Sequence, residues 1–361
     1  MSGMFPRLRS VNKIFRIRLL IAAALAAALA GCSQLGYYAQ AAQGQYDLWS
    51  GAKSIDDWLG DPGTDAKLKA RLAQARQIRR FAVSELGLPD NGSYKNYAAL
   101  KRPYVLWSVV AAPELSLQPL QWCFPIAGCV SYRGYYSKDD AQAYAGQLRD
   151  QHYDVQVGGV AAYSTLGWFD DPLLSSFINY SDAELARMIF HELAHQVEYV
   201  AGDSKFNESF ATAVEEAGVQ RWLERFGSDA ARQSYAQYLG RRQDFVALLL
   251  KHRGVLKTLY ASDLPAPRKR AEKARVFTAL QDDYQILKVN WGGYAGYDRW
   301  FAEPLSNAHL ASVATYHDFL PGFQKLLAEK KTFRAFYAAV HTLAQQDKDQ
   351  RQRTLAQLGL P

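Results

Sequence analysis

The sequence predicts an α+β chain, with a small mixed sheet ahead of a mainly helical half. Three observations predict it. A run rich in β-formers, YVLWSVVAA from Tyr104 to Ala112, is followed by further short strand-like stretches. From Ser181 onward nearly every segment carries apolar residues at helical spacing. No internal repeat and no long linker divides the chain. The composition, 49% hydrophobic and 21% charged over 361 residues, is that of a globular protein and excludes disordered and collagen-like chains.

The elements follow in order. Residues 34–55 read as a helix, and so does Lys67 to Leu86, which Gly87-Leu88-Pro89 ends. Tyr104–Ala112, Leu115–Phe124 and Cys129–Tyr135 read as strands. Asp139–Asp150 reads as a helix. Tyr153–Gly158 alternates as a strand, and Val160–Ser164 continues it past Gly158-Gly159. The helical half breaks at Gly202-Asp203, Gly227-Ser228, Leu264-Pro265, Gly292-Gly293 and Pro321-Gly322.

Residues 1–31 read as an address. Arg7, Arg9, Lys13, Arg16 and Arg18 precede the apolar run LLIAAALAAALA, Leu19 to Ala30. Such a run rises only about 18 Å as a helix, short of a bilayer core of about 30 Å, so it is an export signal rather than a membrane span. Residues 32–361 then form the mature domain, with a mixed part over 34–180 and a helical part over 181–361. The formal charge is +7, and without those five residues 37 basic stand against 35 acidic. That balance gives no electrostatic footprint for nucleic acid. Leu29-Ala30-Gly31-Cys32 resembles a lipobox. The resemblance implies that Cys32 becomes a lipidated N-terminus facing the periplasm and, with Ser33 after it, an outer-membrane address. Of three cysteines, Cys123 and Cys129 remain, and an oxidising compartment favours a disulfide between them.

The chemistry lies in Ser181 to Glu216, SDAELARMIFHELAHQVEYVAGDSKFNESFATAVEE. Ser181 and Glu184 have capping-box spacing, and Gly202 suits the end of that helix. His191, Glu192 and His195 make H-E-x-x-H. Residues four apart stand one above the other on a helix, so two imidazole nitrogens can meet one metal ion at about 2.0–2.1 Å. Glu192, rotated by about 100° from His191, can reach a metal-bound water without ligating the ion, as a general base does. A catalytic zinc site takes a third protein ligand and keeps one position open. Glu208, at the start of the next helix, is the first candidate, and Glu198 on the same helix as the histidines the second. Glu215, two turns beyond Glu208 on a similar face, can accept a ring N–H from one histidine.

HELAH followed by FNESFATAVEE resembles the gluzincin metallopeptidases, whose third ligand is the glutamate of an N-E-x-x-A-type helix. Asn207-Glu208-Ser209-Phe210-Ala211 and Val214-Glu215 carry the match. The chain also resembles a family of bacterial lipoproteins described as putative aminopeptidases, through its lipobox, WCFPIAGCVSYRGYY, the HELAHQ helix, WGGYAGYDRWF and PLSNAHLA. The resemblance implies a zincin-like fold, one Zn²⁺ ion, peptide substrates and hydrolysis by metal-activated water. The large aminopeptidases also carry a G-x-M-E-N segment whose glutamate grips the free amine. Gly158–Gly167 of this chain, GGVAAYSTLG, has no acidic residue, although its backbone can pair with a peptide as an edge strand. Tyr297 is a candidate to stabilise the oxyanion, with Tyr294, Tyr316, His309 and His317 as alternatives. An endopeptidase of envelope proteins, and a non-catalytic envelope protein binding a metal or a partner, are the rival readings. The basic run RKRAEKAR, Arg268–Arg275, reads as a solvated helix face, and His152, His252 and His341 as structural.

Overall fold

The chain falls into two compact units, Met1–Ser50 and Gly51–Pro361. The structure, a computed structural model, describes residues 35–124 and 127–360, without the side chains of residues 312 and 314–317. The export-signal and Cys32 readings lie outside the described residues. Of the first unit, residues 35–50 form helix α1. It ends at Gly51, short of the expected residue 55. Residues 52–54 turn extended because Ser54 leaves the helix to cap the next one, accepting from the Asp57 N–H.

The second unit begins with β1 (Ala52–Ser54), α2 (Ile55–Gly60) and α3 (Ala66–Ser84). Then come β2 (Asn96–Ala98), β3 (Leu106–Pro113), β4 (Trp122–Phe124), β5 (Gly128–Val130), β6 (Arg133–Tyr135), α4 (Lys138–Asp150), β7 (Tyr153–Val160) and β8 (Leu173–Leu174). The remainder is helical: α5 (Asp182–Ala194), α6 (Ser204–Phe226), α7 (Asp229–Ala261), α8 (Ala266–Asn290), α9 (Asp298–Phe301), α10 (Asn307–His317), α11 (Leu320–Lys330), α12 (Phe333–Ala344) and α13 (Lys348–Leu358). This is a mixed α+β architecture with small sheets. No described helix is long and apolar enough to cross a membrane.

Strand β3 is the centre of an antiparallel sheet, β6-β3-β7. Strand β7 pairs with β3 alone among the described residues and so lies at an edge. It runs through Gly158 and Gly159, where the Tyr104 ring lies so close over Gly159 that a Cβ would meet it at 2.2 Å. It stops at Val160, so residues 161–164 do not extend it as expected. A second small sheet, β1-β2-β8, joins the chain before α3 to the segment just ahead of α5.

Two other expectations change. Of Leu115–Phe124 only β4 is a strand, because Pro119 cannot donate to a ladder and the Leu120 N–H bonds back to the Ala111 carbonyl. Residues 129–135 divide between β5 and β6, which belong to different sheets. Pro321 does not break a helix. It occupies the first turn of α11, where its missing N–H has no intrahelical partner to lose.

Helix α6 is the pillar of the helical half. Phe206, Phe210, Ala211, Val214, Val219 and Trp222 are buried and spread around its circumference, so it is covered on several sides rather than along one stripe. Phe81 of α3 sits 6.0 Å from the Phe190 ring of α5 and 5.2 Å from Trp222. Phe323 of α11 closes over Phe206 at 5.2 Å. Gly218 lets α6 pass close to its neighbours, since a Cβ there would meet Leu86 and Phe190 at 2.8 Å.

Candidate metal centre

Helices α5 and α6 place the candidate ligands. Ser181 caps α5 by accepting from the Glu184 N–H, while its hydroxyl also pairs with the Glu184 carboxylate. The apolar face of Leu185, Ile189, Phe190 and Leu193 is buried and fixes the rotation of the helix. The regular helix stops at Ala194, with His195 as its C-cap, rather than running on to Gly202. Beyond it the turns tighten to i→i+3, Gln196 N–H to Leu193 and Val197 N–H to Ala194. His191 and His195 still stand one turn apart, with Nε2 atoms 3.2 Å from each other.

The return loop is held at several points. Gly202 adopts φ +78, and Asp203 caps α6 through the Phe206 N–H. Arg351 of α13 grips Asp203 at 2.7 Å in a buried ion pair. Asn207 clasps the loop from both sides, accepting from the Val200 N–H at 2.8 Å and donating to its carbonyl at 2.9 Å. Cys123 and Cys129 face each other across β4 and β5 and are joined by a disulfide. The turn of that hairpin buttresses the loop: the Ala127 carbonyl accepts from Gly202 N–H at 3.3 Å and from Tyr199 Oη at 3.2 Å.

Glu208 thereby arrives beside the histidines. Its Oε2 lies 3.3 Å from His191 Nε2 and 3.8 Å from His195 Nε2. Ligands at about 2.0–2.1 Å in a tetrahedron are separated by about 3.3–3.4 Å, so these three atoms nearly span one face of a zinc coordination shell. The donor set also suits a cation: two imidazole nitrogens and a carboxylate converge, and their ligand atoms all lie within 4.8 Å of one another. His191, His195 and Glu208 therefore form a group that can hold a metal ion. Glu198 turns away to His341 of α12, at 2.8 Å, and is not part of it.

The electrostatics separate the acids. Burial pushes Glu192 up to about 7. Burial also pushes Glu208 up, but the two imidazoles beside it more than offset this and hold it below the usual range. Burial drives His195 down to about 4, which leaves its nitrogen free of a proton. His191 is buried as well, but its bonds to Glu208 and Glu215 outweigh that and raise it to about 10.

Glu215 lies where its spacing suggested, accepting from His191 Nδ1–H at 2.8 Å. Around it are groups that the sequence did not single out. Arg187 reaches its Oε2 at 3.4 Å and Arg242 its Oε1 at 3.0 Å. Asp171, buried and raised to about 6 by that burial, acts electrostatically on Glu192. Acidic or basic residues so far apart in sequence give no spacing signal, and only the packed helices bring them together.

Tyr297 stacks on Phe245 at 4.0 Å, within a cluster built from α7, α8 and α9, and the groups that act on it are Tyr238, Tyr294, Arg242 and Arg241. Tyr294 meets Arg241 at 4.2 Å. His309 is buried with the Ser306 hydroxyl and N–H against its Nδ1. The side chains of Tyr316 and His317 lie outside those described.

No curated protein and no solved structure matches the chain. One family does, over residues 36–355, under the description "Putative aminopeptidase". That span takes in the paired histidines, Glu192, Glu208 and Glu215 alike, and the chain belongs to this putative aminopeptidase family.

Proposed function

We propose that the chain is a zinc-dependent peptidase, an aminopeptidase by the suggestion of its family, held at the bacterial envelope through a lipidated Cys32 and acting in the periplasm. One observation carries the catalytic part: the Nε2, Nε2 and Oε2 atoms of His191, His195 and Glu208 form a triangle of 3.2, 3.3 and 3.8 Å, beside a buried Glu192. Those three residues hold the metal. A zinc ion bound there supplies a Lewis acid for the scissile carbonyl and acidifies the attacking water. Glu192, one position on from His191 and raised toward neutrality, takes the proton from that water and delivers it to the leaving amine. Glu215 fixes the His191 ring by accepting its Nδ1–H, which aims Nε2 at the metal position. Edge strand β7 offers its unpaired side to an extended peptide.

An endopeptidase is the second reading, and a particular observation favours it. Gly158–Gly167, which takes in the end of edge strand β7, holds no carboxylate to pair with a substrate's free amine. The test is product analysis. Purified mature protein is incubated with a peptide library, beside the Glu192→Gln variant. Successive loss of N-terminal residues supports the aminopeptidase, and internal cuts support the endopeptidase. Zinc bound without any cleavage, with wild type and variant alike, overturns both in favour of a binding protein.

A further inference from the structure

Helix α7 begins a long helical excursion that the proposed chemistry does not use, yet one of its side chains reaches the candidate metal centre. Arg242 is part-buried, with its side chain 17% exposed, and places Nη1 3.0 Å from Glu215 Oε1 and 3.3 Å from Glu216 Oε1. Glu215 is 1% exposed and spends its other oxygen on His191 Nδ1 at 2.8 Å and on Arg187 at 3.4 Å. Gln324 of α11 completes the cluster by donating to Glu216 Oε2 at 2.8 Å. A buried carboxylate is thus fixed by one cation per oxygen. Its orientation is set by helices α5 and α7, not by its own helix alone. His195 has no such arrangement: among the described residues its Nδ1 is buried without a partner. The orientation of the candidate ligand set therefore depends on the His191 side.

We propose that Arg242 is a positioning residue for the metal centre: acting through Glu215, it fixes the His191 ring and so couples helix α7 to metal affinity. This rests on the metal-site reading given above. The alternative, a purely electrostatic influence, has the opposite sign. Removing a cation near a site for a dication should tighten metal binding by Coulomb's law. Removing a positioning residue should weaken it, because Glu215 and Glu216 are then left side by side with Arg187 alone, and the acceptor that holds the ring turns or moves. Loss of such outer contacts to a ligand typically costs 10–100-fold in metal affinity.

The experiment is zinc titration of the metal-free full-length protein, with thermal melting of the same samples. Arg242→Gln is expected to weaken zinc binding by about ten- to a hundredfold. Arg242→Lys is expected to recover only part of that, because its ammonium keeps the charge but, on a shorter stem, falls short of the Nη1 position that touches both Glu215 and Glu216. Lys273→Gln, which breaks a part-buried ion pair to Asp154 on strand β7, is the control for general loss of stability and should leave zinc affinity unchanged. Unchanged or tighter binding in Arg242→Gln overturns the proposal, as does equal weakening in the Lys273→Gln control. If Arg242→Gln does not fold, the Arg242→Lys titration decides by the same criterion. Wild type that takes up no zinc overturns the metal-site reading itself, and this proposal with it. Wild type that binds one zinc beside an unaffected variant overturns the positioning role alone.

Discussion

Glu192 and Glu208 are both carboxylates packed among imidazoles, yet their surroundings assign them different work. Glu192 faces burial without a cation close enough to offset it and rises to about 7, which suits proton transfer near neutrality. Glu208 keeps its charge because His191 and His195 stand against it. Glu192→Gln should therefore keep one bound zinc per chain by metal analysis while losing about 10²–10⁴-fold in turnover, the usual share of a general base. Glu208→Ala should lose the zinc as well, so comparing metal content of the two variants tests the division. Much of this was legible in the sequence, since four-residue spacing on a helix is a geometric statement. Glu208 and Glu215 were legible for the same reason, seven residues apart on one helix. Tyr297 was not. Tyrosines are numerous, and whether one reaches the metal depends on how α7, α8 and α9 pack, which no local pattern encodes. Arg187 and Arg242 escaped notice because a lone arginine on a helix looks the same whether it faces water or a buried glutamate.

The loop between α5 and α6 is where local and long-range structure meet. Its Gly202 was readable as a terminator, but the helix actually tightens and stops seven residues sooner, at His195. Contacts from elsewhere decide that: the β4–β5 turn, the clasp of Asn207 and the ion pair of Arg351 all grip the loop. Gly128 is the narrowest of these contacts. It has φ +71, and a Cβ there would meet the Gly202 nitrogen at 2.6 Å. Gly128→Ala should lower stability by about 1–3 kcal/mol, combining backbone strain with overpacking, and should weaken zinc binding through the displaced Glu208. Thermal melts with and without zinc separate the two effects. The turn that follows β7 makes a different prediction. Asp171 is 4% exposed and raised from 3.8 to about 6 by burial, so its ionised form opposes folding. The folded state binds this proton more tightly than the unfolded one. The carboxyl therefore does no harm below about pH 4, and its penalty grows as pH rises to about 6. Asp171→Asn keeps an oxygen for the Thr165 N–H and removes the charge. It should match wild type at pH 4 and exceed it at pH 7 by on the order of 1–3 kcal/mol in denaturant unfolding.

At the scale of the molecule, the sequence reads as an address ahead of the domain that carries the candidate site. Its five basic residues before an apolar run, and Leu29-Ala30-Gly31-Cys32 after it, precede a unit that begins at Gly51 and carries the whole candidate site. The broad division into a sheet-bearing part and a helical part was readable because burial imposes a period of 2 on strands and 3.6 on helices. The pairing of the shorter strands was not, since ladders of two or three residues leave little pattern to read. The proposed lipid anchor needs export from the cytoplasm, and a disulfide persists in the oxidising compartment that export reaches. They are therefore testable together. Wild type expressed in a bacterium with its full leader should fractionate with membranes, and mass spectrometry should find an acylated N-terminus at Cys32 and a disulfide between Cys123 and Cys129. Several acyl chains at about 0.8 kcal/mol per buried CH₂ make release by salt ineffective and release by detergent efficient. Cys32→Ser should leave the chain unlipidated and uncleaved at that position, so mass spectrometry of the variant should find no acylated N-terminus at residue 32. An N-terminus elsewhere, or a wild-type chain washed off by salt, would remove the anchor and with it the reason to look for substrates at a membrane surface.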